Sequence, residues 1–195
     1  MMNIERAIER KRTLRTIGID DMPFNIGQPD LVSITGIICT GTRFEGMLKS
    51  DITQDGMDAT QKISQMILNS KFYRQLHAVL IDGITLGGFN TLDLSKLSEE
   101  LKIPCIAVMR KAPDMDAFKK AIENLPHSDK RFAALHRAGD VLQKDGYYFQ
   151  VKGCSTEVAA IVLAQSTLHG KIPECLRMSH LINSALATGE SSNSA

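Results

Sequence analysis

Two apolar runs end in carboxylates, and these carboxylates are the side chains best suited to carry chemistry. Residues 17–19 lead into Asp20 and Asp21, and residues 78–81 lead into Asp82 and a glycine. Buried carboxylates at strand ends are costly unless a cation compensates them. If the two strands are parallel neighbours, their ends lie about 4.8 Å apart, so Asp20 and Asp82 could share one Mg²⁺ or Mn²⁺ ion.

Two further acidic residues accompany this pair. Asp55 precedes a predicted helix, where it is either a third metal ligand or the N-cap of that helix. Asp21 is a candidate supporting residue, because side chains alternate along a strand and Asp21 would face away from Asp20 unless the strand has already ended.

Basic residues occur in two places where they could contact phosphate. Arg110 and Lys111 follow a predicted strand, and Arg10, Lys11 and Arg12 form a dense stretch before the first strand. Each set could equally be solvated. The net charge is only +1, so the molecule lacks the strong positive field of a dedicated DNA-binding domain. Any contact with DNA or RNA must therefore be local.

The four cysteines are scattered, and none has a neighbour at zinc-ligand spacing. Reduced thiols, mostly buried, are therefore predicted. Cys154 is a candidate supporting residue, because it follows Gly153 at the start of a predicted helix, where the pKa of a thiol is lowered. The alternative for Cys154 is a buried residue without a chemical role.

Hydrophobic patterns place these residues on a mixed α/β framework. Strands are predicted at residues 14–20, 31–40 and 44–53, followed by a helix from residue 56 or 57, a strand at 76–82, a helix at 92–101 and a strand at 103–109. Alternating strands and helices imply parallel pairing. This order is that of a ribonuclease H-like fold, an α/β architecture with a mixed sheet of five or slightly more strands, flanking helices and the first strand beside the fourth.

The remaining chain is predicted to be mostly helical. Helices are expected from residue 113, at 128–138, at 155–169 and at 175–188, with a further strand at 147–151. In the last helix, the apolar face is expected to contain Met178, Leu181, Ile182 and Ala185. The pattern favours a single domain over residues 1–189, with a loop at 22–30 and a flexible tail at 190–195. No apolar run approaches the roughly 20 residues of a membrane span, so a cytoplasmic location without membrane contact is expected.

Four motifs resemble those of a known family. They are Gly18-Ile19-Asp20-Asp21-Met22-Pro23-Phe24, Asp55-Gly56-Met57-Asp58-Ala59-Thr60, Ile81-Asp82-Gly83 with Gly87-Gly88-Phe89-Asn90, and Pro173-Glu174-Cys175-Leu176-Arg177 with His180-Leu181-Ile182. On these motifs the chain is identified as a member of an uncharacterised, mainly archaeal family that is distantly related to endonuclease V.

The resemblance to endonuclease V implies a metal set of Asp20, Asp55 and Asp82. Gly18-Ile19-Asp20 is similar to the Gly-Val-Asp of that enzyme, Gln54-Asp55-Gly56 to its Arg-Glu-Gly, and Ile81-Asp82-Gly83 to its Val-Asp-Gly. Lys111, which follows an Ile-Pro strand, resembles a lysine in the same position of the enzyme.

Two departures from endonuclease V concern its substrate. Residues 43–48 lack the Pro-Tyr-Ile-Pro wedge with which endonuclease V handles a deaminated base, and Cys154 stands where its Val-Gly-His motif has histidine. An efficient inosine-specific endonuclease is therefore not expected.

Three functional hypotheses follow from the sequence. The first is a metal-dependent phosphodiester hydrolase that acts on DNA or RNA, with Asp20, Asp55 and Asp82 as catalytic metal ligands. The second is a non-catalytic protein that binds nucleic acid or a nucleotide. The third is a receiver-like domain in which Asp82 accepts a phosphoryl group beside Asp20, Asp21 and Lys111. The oligomeric state stays open.

Overall fold

A computed structural model describes residues 4–24 and 31–192. The strands are β1 Arg15–Asp21, β2 Leu31–Thr40, β3 Arg43–Thr53, β4 Ala78–Asp82, β5 Thr85–Leu86, β6 Asn90–Thr91, β7 Cys105–Met109, β8 Leu142–Lys144 and β9 Tyr147–Lys152. The helices are α1 Ile4–Glu9, α2 Ala59–Leu68, α3 Leu94–Leu101, α4 Met115–Glu123, α5 Ser128–Ala138, α6 Thr156–Ser166 and α7 Glu174–Thr188, with a 3₁₀ turn at Tyr73–Gln75. Most of the predicted 22–30 loop and the last three residues of the predicted tail lie outside the described residues. None of the described helices has the length and apolarity that crossing a membrane requires.

Seven strands form one mixed sheet in the order β3-β2-β1-β4-β7-β9-β8. β1, β4 and β7 are parallel, whereas β2, β3, β8 and β9 pair with their neighbours in antiparallel fashion. The first strand lies beside the fourth, which confirms the predicted ribonuclease H-like arrangement. The sheet exceeds five strands because the β8–β9 hairpin extends it beyond β7.

The connection after β1 separates this fold from a receiver domain. β1 is followed by the antiparallel strands β2 and β3, and the first helix of the crossover type, α2, comes only after them. A receiver domain has a helix directly after its first strand. The topology therefore does not support the receiver-like hypothesis.

Helices cover both faces of the sheet and create two apolar cores. One core packs α2, α3 and α5 against alternate residues of the central strands, including Ile17, Ile19, Val79 and Ile81. The other packs α1, α6 and α7 against the intervening residues, such as Leu80. Strands buried on both faces explain why β4 and β7 read as continuous apolar runs in the sequence.

The predicted boundaries agree well for long elements and less well for short ones. The strand predicted at 31–40 matches β2, whereas α2 begins at Ala59, later than expected. The later start of α2 has a local cause. The carboxylate of Asp58 accepts hydrogen bonds from Thr53 and Asn90, so residues 54–58 form a turn. The β5–β6 pair and β8 were not predicted, because strands of two or three residues carry no clear periodic signal.

The predicted buried face of α7 is wrong. The buried side includes Cys175, Ser179 and Asn183, whereas Met178 and Ile182 are only partly buried. Small and polar residues face the sheet because α7 lies very close to β1. A Cβ atom added at Gly18 would lie 2.5 Å from the carbonyl carbon of Cys175.

Candidate metal centre

Asp20, Asp82 and His180 form a cluster at the carboxyl ends of β1 and β4. Each offers one ligand atom, and these atoms all lie within 4.8 Å of one another. The two carboxylates meet because β1 and β4 pair in parallel, with Ile19 opposite Ile81 immediately before them. His180 comes from α7, and its Nδ1 lies 3.2 Å from Oδ2 of Asp20.

The electrostatics of the cluster disfavour a bare negative charge on Asp20. Asp20 is only 5% exposed. Burial raises the pKa of Asp20 to about 8, and the nearby carboxylates of Asp82 and Asp21 act in the same direction. Arg110 opposes this effect, and its Nη2 lies 3.4 Å from Oδ2 of Asp82. The cluster is therefore a place where a cation would be stabilised.

The donor set fits Mg²⁺ or Mn²⁺. Two carboxylates supply the hard oxygen ligands that these ions prefer, and the imidazole is a donor that transition metals accept. Asp82 and His180 are half-buried, so the cluster is open to solvent on one side. Such an arrangement leaves room for water and for a substrate oxygen.

A buried polar network holds α7 in place behind the cluster. The Thr35 hydroxyl lies 2.7 Å from the Ser179 hydroxyl and donates to the Asn183 Oδ1 at 2.9 Å. The Asn183 amide in turn donates to the backbone carbonyl of Asp20 at 3.0 Å. Because His180 lies between Ser179 and Asn183 on the same helix, this network holds the backbone of His180 near Asp20, and the ring then contacts the Asp20 carboxylate.

We expect Asn183→Ala to lower the free energy of unfolding by about 2 kcal/mol, because it leaves the buried Asp20 carbonyl without its donor. Urea titration of the metal-free protein measures this change. Asn124→Ala is the matched control, since Asn124 is exposed and its side-chain amide donates a hydrogen bond to the Lys120 carbonyl of its own helix. We expect the control to change stability by less than about 0.5 kcal/mol. Equal effects of the two substitutions would contradict a role of this network in docking α7.

Asp21 and Asp55 hold a glycine turn rather than joining the cluster. The backbone N–H of Gly87 donates to Oδ2 of Asp21 at 2.9 Å, and the N–H of Phe89 donates to Oδ1 of Asp55 at 2.8 Å. The Asp21 carboxylate nevertheless lies close to that of Asp20, so alternation along the strand does not separate the two groups. Asp55 is not the N-cap of α2, a position that Asp58 occupies.

The remaining predicted site residues lie in two different places. Lys111 is exposed and follows β7 at the same end of the sheet as Asp82. Arg10, Lys11 and Arg12 precede β1, and its length places them roughly 17 Å or more from Asp20. The structure does not bring these three residues to the cluster.

Cys154 also lies away from the cluster. Lys152 is level with Cys105 at the start of β7, whereas Asp82 is level with Val108, roughly 10 Å further along the sheet. Cys154 follows Lys152 in the direction away from Asp82. Burial raises the pKa of the Cys154 thiol to about 11, so it is protonated near neutral pH.

The sequence interpretation assigned no role to His180, although it lies in one of the family motifs. Its signal was weak, because a histidine on a helix has many structural explanations. A stronger signal was available in the neighbouring pattern Cys175, Ser179 and Asn183, which places small and polar residues four apart on one helix face. That pattern indicates a helix docked closely on polar backbone.

Comparisons with known proteins agree on the family. The profile of the Endonuclease dU family matches residues 12–187. A UPF0215 protein from Methanosarcina barkeri is 38% identical over 195 aligned residues, which cover 97% of this chain and 98% of that protein.

Solved structures show two levels of similarity. A crystal structure of a protein of unknown function from Archaeoglobus fulgidus is 36% identical, with a TM-score of 0.84 over 89% of this chain and 98% of that chain. Endonuclease V from Ciona intestinalis, in complex with a 24mer DNA that contains an inosine followed by a ribo-adenosine, is 13% identical. It aligns with a TM-score of 0.56 over 87% of this chain and 83% of that chain, which establishes a shared fold.

Proposed function

Because the chain belongs to the Endonuclease dU family, we propose that it is a metal-dependent phosphodiester hydrolase that acts on nucleic acid. The observation that carries this proposal is the cluster of Asp20, Asp82 and His180 at the ends of two parallel strands. The endonuclease V fold supports it, since the Ciona intestinalis protein with this fold was crystallised with DNA.

We assign the binding of one or two divalent cations to Asp20, Asp82 and His180, with Asp55 as a further proposed ligand from its motif. When bound there, Mg²⁺ or Mn²⁺ supplies positive charge that activates water and stabilises the leaving oxygen. Asp20 and Asp82 provide fixed negative charge for that cation. His180 is held against Asp20 by the docking of α7, so the three ligands need little rearrangement.

Cations of the chain itself are proposed to orient the phosphodiester. Arg110 reaches Asp82 with its guanidinium and is also exposed, so it can contact a phosphate that approaches the cluster. Lys111 follows at the same sheet end and adds positive charge. Arg10, Lys11 and Arg12 could contact only a more distant part of a long polynucleotide. We assign no proton transfer to Cys154, since it is protonated near neutral pH and lies away from Asp82.

The family name suggests DNA that contains deoxyuridine as the first substrate to test. Inosine is a weaker candidate, because residues 43–48 lie within strand β3, whose register with β2 shifts once in this segment, and lack the wedge sequence. This segment pairs with residues 36–40 of β2. Those residues in turn pair with residues 15–19 of β1, so the segment does not lie beside Asp20. A different contact with the base is therefore needed.

We expect the purified protein to cut DNA containing deoxyuridine in the presence of Mg²⁺ or Mn²⁺ and to lose that activity with excess chelator. Cleavage next to inosine is expected to be slower, because the wedge is missing. The assay compares single-stranded and duplex DNA with deoxyuridine, with inosine or without modification, and unmodified RNA, on denaturing gels. Fastest cutting next to inosine would contradict the substrate assignment. Nucleic-acid binding without cleavage of any substrate, with Mn²⁺ bound, would favour the non-catalytic binding protein.

A further inference from the structure

Arg131 is a buried arginine whose hydrogen bonds all go to backbone carbonyls within the described part of the chain. It lies in α5 and is 1% exposed. Its Nε donates to the Pro126 carbonyl at 3.0 Å, and its Nη1 donates to the Gly56 carbonyl at 3.2 Å. Further bonds reach the carbonyls of Phe89 and Asp55. Burying a guanidinium is costly, and here four of its five N–H donors are compensated by carbonyl acceptors.

Three of these carbonyls belong to two turns that are also bonded to each other. One turn, residues 54–58, joins β3 to α2, and the other, residues 87–89, joins β5 to β6. The Asp55 N–H donates to the Gly87 carbonyl at 2.9 Å, and the Phe89 N–H donates to the Asp55 carboxylate at 2.8 Å. We call these segments the turn pair. Arg131 crosses the turn pair and ties both members to α5.

The turn pair is connected directly to the candidate metal centre. The Gly87 N–H donates to Asp21, the residue after Asp20, and β4 ends at Asp82 shortly before β5. Asp55 has a positive φ of 51°, a conformation that is uncommon for residues with a side chain, although aspartate tolerates it better than most. Its N–H, carbonyl and carboxylate are all hydrogen-bonded in the turn pair. Such over-determined backbone is often found at functional sites.

We propose that Arg131 is a positioning residue for the phosphodiester site. By fixing the turn pair it sets where the Asp55 carboxylate and the half-buried Phe89 ring stand relative to Asp20 and Asp82. This proposal rests on the proposed function. A planar group with five donors is needed to reach four carbonyls at once, which explains why lysine would not be equivalent.

The test compares Arg131→Lys and Arg131→Met with Arg137→Met. Arg137 lies on the same helix, but its guanidinium is half-exposed and pairs with Asp93, so its replacement controls for changes in α5 alone. The measurements are cleavage kinetics, Mn²⁺ affinity by calorimetric titration, and hydrogen exchange at the amides of Asp55 and Phe89. Arg131→Lys keeps the positive charge, so the measurements can still be made on this variant if Arg131→Met does not fold.

We expect Arg131→Lys to lower kcat about 10- to 100-fold, since a displacement near 1 Å in a catalytic group has effects of this size. Mn²⁺ affinity is expected to fall by about tenfold, because Arg131 holds the turn that carries the proposed ligand Asp55, and partners of metal ligands have effects of this size. Exchange at the Phe89 amide should become faster. The control should change none of the three quantities.

The proposal is overturned if folded Arg131→Lys keeps the wild-type kcat and the wild-type exchange at both amides. A loss of stability with unchanged kcat would show a merely structural residue and would also overturn it. If the wild-type protein cleaves no substrate, the proposed function fails, and exchange and Mn²⁺ binding still decide the positioning role. Faster exchange at Phe89 together with weaker Mn²⁺ binding would then support it, and unchanged exchange or unchanged Mn²⁺ affinity would refute it.

Discussion

Asp82→Asn is expected to lower metal-dependent cleavage by about a thousandfold or more. The substitution removes one of two carboxylates from the cation site, and transition-state stabilisation by a bound metal is worth several kcal/mol. Above about pH 8, where Asp20 is ionised, the metal-free variant should be at least as stable as the wild type, because the charge of Asp82 then repels that of buried Asp20. Single-turnover cleavage rates and thermal unfolding with and without excess Mn²⁺ measure both effects.

These opposite effects distinguish a lost ligand from a damaged fold. The Tm increase caused by Mn²⁺ should shrink in Asp82→Asn, since a ligand that binds more weakly stabilises the native state less. Asp140→Asn is the matched control, because Asp140 is an exposed carboxylate after α5. Wild-type cleavage by Asp82→Asn, or an unchanged Mn²⁺ effect on its Tm, would show that the cluster is not the metal site.

Gly18→Ala is expected to destabilise the protein by about 3 kcal/mol, at the upper end for an overpacked core. The added methyl group would lie 2.5 Å from the Cys175 carbonyl carbon and 2.6 Å from the Leu176 nitrogen, and neither backbone atom can rotate away. For a chain of this size the Tm should fall by about 6 to 12 °C. The displacement of α7 should also move His180 from Asp20 and weaken Mn²⁺ binding.

Gly36→Ala on the neighbouring strand separates this effect from a general cost of alanine in the sheet. A methyl group at Gly36 would meet the Ile17 Cδ1 at 2.7 Å, but this atom ends a side chain that can change its rotamer. We expect a smaller loss of Tm and unchanged Mn²⁺ affinity. Equal losses in the two variants would argue against a special close contact between β1 and α7.

The strands and the pairing of Asp20 with Asp82 were accessible from the sequence because buried parallel strands leave a strong apolar signal. The prediction that β1 and β4 are parallel neighbours is confirmed, and it follows from the alternation of strands and helices. The motif resemblance to an archaeal family related to endonuclease V is confirmed as well. The sequence therefore predicted the position of a side chain correctly where that position depends on a single strand.

Features that depend on contacts between distant segments could not be predicted from the sequence. The polar buried face of α7 results from its close packing on Gly18 and Thr35, so apolar periodicity pointed to the wrong side. The hydrogen bond of Asp55 to Phe89 requires the fold of the β5–β6 turn, whose strands are too short to predict. Arg131 resembles an ordinary surface arginine until three separate segments surround it.

The separation of His180 from Asp20 by 160 positions also affects when the site can form during synthesis. β1 and β4 can pair once the ribosome has released them, but α7 follows about 100 residues later, which corresponds to roughly 5 to 20 s of translation. Until then the nascent chain has two neighbouring carboxylates without their imidazole, and β1 lacks its cover of α7. A truncated translation product would therefore carry only the two carboxylates of the candidate cluster, and the face of β1 that α7 covers in the folded protein would be exposed.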